Sequence, residues 1–500
     1  MKNRVLIILI IALASSSITY LLHNRIVQLR LAIPQLFDKH QIQESSLSNR
    51  IKINVKDKDL SKLESYRSEA LKNGTILSES KEYIKADLLL NDVELNAKIR
   101  FKGDNVDHID SDKWSFRVKL KSSDHFFNNN TFSIQHPKTR SYLYEWALHK
   151  TLASQQILTT DYDFVQVFFN GTNKGIYAIE DHFTEFMLKK QNRTPGPIIR
   201  FNEDVLWQEE AKQYDYRIFV TEGSGYNDTG SIWKTPLEIY SFKMIENSDS
   251  IEKEAIDLFY SFVKGNKAVF NQHFDKDLWA KYFSVMEIFG AKHGANWHNL
   301  RFYFNPQTKK FEPIGFDGST LDHGSILHAA YSGIPANAHD EYFLRLFFDD
   351  LEFSTRYLSY IHQFLNSNIY DSILISPEYL NLKQHFEDEF GRTNDLASDL
   401  QFHQNALQEV YNPVKPLYAL EKEQKILLAN SYSLHLEVIS YTIKNDTFRL
   451  DTPLHLAPTS KKTFNQYVEI DCPVKIKKGA VQYKILGLDS VFNTSIENYY

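Results

Sequence analysis

The sequence predicts an α+β fold of two lobes, sheet-rich first and helical second, followed by a small β module. Three observations carry this reading. Between Ile51 and about Phe201 apolar residues alternate along short runs that end in turn residues. Between Ser250 and Asn366 they recur at i, i+3, i+4 and i+7 instead. From about Ser431 the period of two returns. A chain of 500 residues is too long for one ordinary core, which suits separate lobes.

The elements follow in order. "IKINV" alternates as a strand, and "KDLSKLESYRSEALKNG" has helical spacing with a Gly stop. "ADLLLNDVELNAKIRFKG" reads as a hairpin turning on Asn91 and Asp92, and Trp114 to Leu120 as another strand. Ser141 to Gln155 carries a helical apolar stripe. "DFVQVFFNGTNKGIYAIED" is a hairpin through Asn170-Gly171, a pair suited to the tightest two-residue turn. The second lobe offers helices at Ser250–Phe270, Asp277–Ala291 and Glu341–Asn366. A further helical region runs from Glu378 to about Asn430, broken at Pro413 and Pro416. A hairpin, "LRFYFNPQTKKFEPIGF", interrupts these helices and turns at Asn305-Pro306.

Composition removes several function classes. The net charge of −6 and the absence of a Lys/Arg run argue against a nucleic-acid partner. The single cysteine, Cys472, excludes a disulfide framework or a thiolate zinc site and reads as a small buried residue. Val5 to Leu22 carries no charge and follows Lys2 and Arg4. It reads as a single-pass signal-anchor with the body outside the cytoplasm, the alternative being secretion after cleavage at Ala14. The expected organisation is an anchor over 1–22, a linker over 23–45, the main domain over 46–430 and the β module over 431–500.

The stretch "HGANWHNLRFYFNPQTKKFEPIGFDGSTLDHG", residues 293 to 324, concentrates the chemistry. A sheet-rich lobe followed by a helical lobe that opens on a polar hairpin is the plan of a kinase-like fold. Phosphoryl transfer on that plan needs a strand Lys for the phosphates, a helix Glu to orient it, and an Asn and a later Asp for metal. Lys119 ends the strand "FRVKL", Glu145 lies on the next helix, Asn299 opens the hairpin and Asp317 follows it before Gly318.

"LNAKIRFKGD…KWSFRVKL", "RSYLYEWALHK", "VQVFFNGTNKGIYAIEDHF" and "WHNLRFYFNPQTKKFEPIGFDG", taken together, resemble the spore-coat-protein-H (CotH) kinase family over roughly residues 50 to 325. The resemblance implies an atypical protein-kinase-like fold with ATP between the lobes and Mg²⁺ at Asn299 and Asp317. It places Glu180 where the linker between lobes meets the adenosine, and Arg100, Lys102 and Gly103 at the phosphate-facing edge. The chain departs from the pattern twice: Gly294 stands where the family carries the catalytic Asp, and Ser319 where a second acid is common. His293 or His298 could serve as the base, since imidazole titrates near neutral pH.

Two other readings compete. Without the catalytic Asp the protein would be a pseudokinase-like structural or assembly factor of the cell envelope. His293, His298, His323 and His328 with an Asp would alternatively make a zinc site of a metallohydrolase, although their spacing matches no HExxH-like arrangement. The leading expectation is Mg²⁺- and nucleotide-dependent phosphoryl transfer to a protein or cell-envelope substrate.

Overall fold

A computed structural model describes residues 47, 49–121, 130–208, 211–212, 237–240, 248–318, 324–332, 338–391, 395–444, 446–459, 467–474, 476 and 478–498. Three sheets and a helical layer make up the architecture, in a mixed α+β arrangement with strands concentrated early and helices late. Residues 46–500 hold together as one compact unit.

The N-terminal sheet is a closed barrel rather than an open sheet. Strands Arg50–Asn54, Ile84–Leu90, Val93–Phe101, Phe116–Leu120, Thr131–Gln135, Thr172–Asp181 and Tyr162–Phe169 follow one another around it. Closure comes from parallel pairing of Arg50–Asn54 with Tyr162–Phe169. Alternation decides which side chains fill it: Ile84, Ala86, Ile99, Phe101, Phe116 and Val118 are buried, with Leu63 and Ala70 of helix Asp57–Asn73 in the same core. Two tight turns set the register. Asn91 and Asp92 lie at φ 47° and 67°, Asn170 and Gly171 at 46° and 79°, the left-handed pairs that two-residue hairpins require.

A second sheet, in the order Leu237–Tyr240, Ile198–Phe201, Phe302–Asn305, Lys310–Gly315 and Leu158–Thr159, underlies the helical layer. Its hairpin is fixed by Asn305, whose Oδ1 accepts from Gln307 N at 3.0 Å. Helix Lys276–Ile288 packs against this hairpin through Trp279 and Phe302, rings 4.9 Å apart. Asn266 and Asp350, both capping new helices through side-chain oxygens, divide the two long predicted helices. The observed elements are therefore Ser248–Val263 with Lys267–His273, and Ala338–Phe348 with Leu351–Ser367.

Helix Pro377–Phe390 fastens the helical layer to the barrel. Glu389 accepts from Ile176 N at 2.9 and 2.8 Å and pairs with Lys113. A side chain at Gly175 (φ 76°) would collide with this carboxylate. Helix Leu396–Tyr411 ends before Pro413, so strands begin at Leu417, where a helix was expected up to about 430. The C-terminal sheet has seven strands and packs on helix Leu351–Ser367, with Ser359 Oγ donating to Gly487 O at 3.2 Å. Cys472 is buried within it and unpaired.

The membrane expectation is corrected. Among the described residues no helix is long and apolar enough to cross a membrane, so the single-pass assignment and the localisation built on it are not carried further. The run Val5 to Leu22 lies outside the described residues, as do Ser319 and His323.

Candidate functional site

A polar cavity of about 390 Å³ opens between the barrel and the second sheet. Among its described lining residues seven are Lys or Arg and five are Asp or Glu, so cations prevail and the cavity favours an anion. A separate cavity of about 450 Å³, lined by Phe262, Phe270 and Leu346, lies among the helices. It shares no residue with the first and is lined by five charged side chains against the twelve of the smaller one.

The barrel wall of the cavity contains a buried ion pair. Lys102 follows strand Val93–Phe101 directly and pairs with Glu180 of strand Thr172–Asp181, while its Nζ also donates to Gln135 Oε1 at 2.7 Å. Burial pushes the Lys102 ammonium down and Glu180 opposes this. Burial would raise Glu180, but Lys102 and then Arg140 outweigh it and hold the carboxyl below its ordinary value. The turn that presents Lys102 depends on Gly103: at φ 88°, a Cβ there would fall 1.9 Å from the His108 ring.

The opposite wall comes from the stretch 293–318. Asn299 is buried, lines the cavity, and its Nδ2 donates to His293 O at 2.9 Å, with no hydrogen bond from a described residue to its Oδ1. Asp317 occupies the left-handed region at φ 53°. Its Oδ1 lies 2.9 Å from Arg140 Nη2 and 3.7 Å from His293 Nε2, yet accepts no hydrogen bond of good geometry. Burial would raise the Asp317 carboxyl, and Arg140, His293 and Lys102 overcome it, so the group stays charged. Burial lowers the His293 imidazole more than Asp317 raises it, which leaves the ring neutral at pH 7.

Glu145 has a different place from the one expected. It is buried in helix Tyr144–Ser154, accepts from His149 Nε2 at 3.0 Å, and receives Gly318 N at 3.3 Å. It pins the Asp317-Gly318 turn and does not meet a lysine. Lys119 is exposed on the outer face of the barrel, opposite Lys98 and Thr131, so the expected Lys119–Glu145 pair does not form. The buried lysine–carboxylate pair beside this cavity is instead Lys102–Glu180, two residues that the sequence singled out separately.

Gly294 also changes meaning. It is buried, with its carbonyl accepting from Tyr282 OH at 2.9 Å. A Cβ built on it would stand 2.2 Å from Met286 Cε and 3.1 Å from both Gly318 Cα and Phe316 O. The glycine permits close approach to the 316–318 backbone, so a side chain there would displace the Met286 methyl and crowd that backbone by a few tenths of an ångström.

The floor of the cavity is aromatic. Phe183 packs 5.3 Å from Tyr240 and 5.2 Å from Phe316, and the Arg301 guanidinium lies 5.0 Å from the Phe316 ring centroid. Arg301 Nη1 donates to the carbonyls of His298, Asn299 and Leu300 at 3.0–3.1 Å and so fixes the turn that carries Asn299. His298 is buried with Nδ1 3.8 Å from Glu203 Oε2 and stands behind the lining. Glu203 is held down at about 2, burial being outweighed by His298, Arg301 and Arg200.

The structure thus brings Lys102, Asn299 and Asp317 to the lining of one cavity, with Glu180 paired to Lys102 and His293 3.7 Å from Asp317, and leaves Lys119 outside. Sequence reasoning missed Arg140, Arg200 and Arg301. Arg117 was detectable, because it precedes Lys119 by two residues on a strand whose outer face the alternation defines. Among the described residues no group of three or more His, Cys, Asp and Glu is placed to hold a metal, and His328 faces another cavity beside His403. Comparison with known protein families and with characterised proteins finds no match to this chain.

Proposed function

We propose that the chain is a CotH-like, kinase-like phosphotransferase that binds ATP with Mg²⁺ in this cavity and transfers the terminal phosphoryl group to a protein or cell-envelope substrate. The observation that carries the reading is convergence: the buried Lys102–Glu180 pair, Asn299 and Asp317 meet at one cationic cavity in the chain order that phosphoryl transfer requires. The residues fit the ligands. Oxygen donors from one Asp and one Asn suit Mg²⁺, which is commonly held by few protein ligands together with phosphate oxygens. The Asp317 Oδ1 that lacks a hydrogen bond supplies such a donor. Phe183, Tyr240 and Phe316 offer apolar faces to a purine.

In this account Asn299 and Asp317 would hold the metal, which when bound neutralises charge on the phosphates. Lys102, kept in place by Glu180 and Gln135, holds phosphate oxygens. Neutral His293 accepts the proton from the acceptor hydroxyl as that oxygen bonds to phosphorus and the bridge to the leaving diphosphate breaks. Glu145 keeps Asp317 in position through Gly318 N. A second reading, nucleotide binding without transfer, draws on Gly294, which offers no carboxylate and packs closely against Met286 and the 316–318 backbone.

Incubating the full-length chain with γ-labelled ATP and Mg²⁺ distinguishes the two. The leading reading predicts labelled product that disappears in Asp317→Asn and falls about a hundredfold in His293→Ala. ATP binding with no transfer under any condition would leave the second reading in place.

A further inference from the structure

We propose that the outer face of the barrel is the acceptor-docking surface and that the acceptor is an extended, acidic stretch of polypeptide; this rests on the phosphotransferase reading above. Strand register places Lys85 opposite Lys98, and Lys98 opposite Lys119, so one row of lysines crosses three strands. The next row toward the cavity holds Arg100 opposite Arg117. The intervening residues Ile84, Ala86, Ile99, Phe116 and Val118 are buried in the barrel, which turns all five cations outward. Lys85, Lys98 and Lys119 are exposed, and Arg100 and Arg117 line the cavity.

None of these five forms an ion pair with a described residue. Arg100 Nη1 reaches only its neighbour's carbonyl, Phe101 O at 3.0 Å, and its guanidinium lies over Tyr83. Arg117 Nη1 meets His182 Nδ1 at 2.5 Å, while its buried Nε has no hydrogen-bond partner. The other cations of the cavity are matched: Lys81 with Asp104, Lys102 with Glu180, Arg140 with Asp317, Arg200 with Glu238, Arg301 with Glu203. Single exposed lysines need no explanation. Like charges set directly opposite one another across strands are destabilising, and two such rows in succession describe a surface kept for an anion.

The pitch identifies the kind of anion. Along each strand the cations stand two residues apart, Lys98 to Arg100 and Lys119 to Arg117, a repeat of roughly 6.6 Å. Alternate side chains of an extended peptide have the same repeat, so acidic residues along one strand-like segment meet the two rows in turn. The patch ends where Asp87 stands opposite Asn96, and at its other end it enters the cavity. Arg100 and Arg117 therefore receive the acidic residue nearest the reacting hydroxyl.

The test is fluorescence anisotropy of the full-length chain with a labelled peptide of alternating Glu and Ser, beside calorimetry with ATP and Mg²⁺. The variant is Lys85→Glu with Lys98→Glu; both positions are exposed, so folding is not threatened. Peptide affinity is expected to fall about tenfold or more in the variant, with ATP affinity unchanged. Peptide affinity indifferent to the charge reversal would overturn the proposal. So would equal affinity for single-stranded DNA or poly(glycerol phosphate), which would make the face a non-selective cation patch. Charge-sensitive peptide binding with no ATP binding would keep the docking surface and remove the phosphotransferase reading. ATP binding with no peptide binding would do the reverse.

Discussion

The cavity and the helical core both bury glutamates and shift their carboxyls in opposite directions. In the cavity, burial would raise Glu180 and Glu203, but neighbouring cations outweigh it and both remain carboxylates. In the helical core Glu287 has neutral donors instead: Ile326 N at 2.6 Å and Tyr411 OH at 3.0 Å, with Tyr411 bonded in turn to Tyr357 at 2.8 Å. Burial prevails there and raises Glu287 above its ordinary value. The cost of burial is common to both regions, and the company of each carboxyl decides the direction of its shift. Charged company keeps the cavity ready for an anion. Neutral company fastens helix Lys276–Ile288 to its neighbours.

The largest effect that would break this comparison is Lys102→Met. It leaves Glu180 buried without its counter-charge, so a loss of about 3–5 kcal/mol is expected in urea unfolding. ATP binding should vanish even where the variant is folded. A stable variant that still binds ATP would show that the pair is incidental to the cavity.

Next come the two pH limbs, which sharpen the contrast because they slope in opposite directions. Glu203 lies at about 2 in the folded chain against an ordinary 4.5. Its contribution is complete above about 4.5 and is lost as the pH falls toward 2, on the order of 3 kcal/mol in all. Glu287 is raised above the same ordinary value, so its contribution is complete below 4.5 and is lost as the pH rises through its folded value. Urea unfolding across this range should therefore show a shallower acid limb in Glu203→Gln and a smaller decline on the rising side in Glu287→Gln. Parallel curves for the two variants would contradict the assignment.

Gly294→Asp should cost about 1–3 kcal/mol through overpacking against Met286 and the 316–318 backbone. It should not raise phosphoryl transfer. A gain in transfer with an unchanged Tm would mean that the position opens to the cavity after all. Smallest of all is Lys119→Ala: exposed and outside the cavity, it should change stability by less than about 0.5 kcal/mol and leave ATP affinity as it is. A large loss of ATP affinity would restore the lysine that the sequence favoured.

Local pattern explains what was legible in the sequence. The two hairpin turns at Asn91-Asp92 and Asn170-Gly171 declared themselves through residue types that tolerate positive φ. The hairpin before Asp317 was equally clear, because alternation and Asn305 marked it. Barrel closure was not legible, since it pairs Ile51 with Val167 across more than a hundred residues of chain and no local spacing reports that. The Lys119 assignment shows a subtler limit. Alternation placed Phe116, Val118 and Leu120 on the inner face, and hence Lys119 outside, but it could not say which outward residues the cavity would reach; Arg117 does so and Lys119 does not. Arg140 sits in a short turn without any periodic signal, and Gly294 resembled a lost acid until its packing was visible.

The measurement that tests the central claim most directly is calorimetric titration of the full-length chain with ATP, with and without Mg²⁺, beside an Asp317→Ala control. The account predicts binding that Mg²⁺ strengthens in the wild-type chain and a control that no longer responds to the metal. Absence of ATP binding under both conditions, or a metal response that survives in Asp317→Ala, would contradict it.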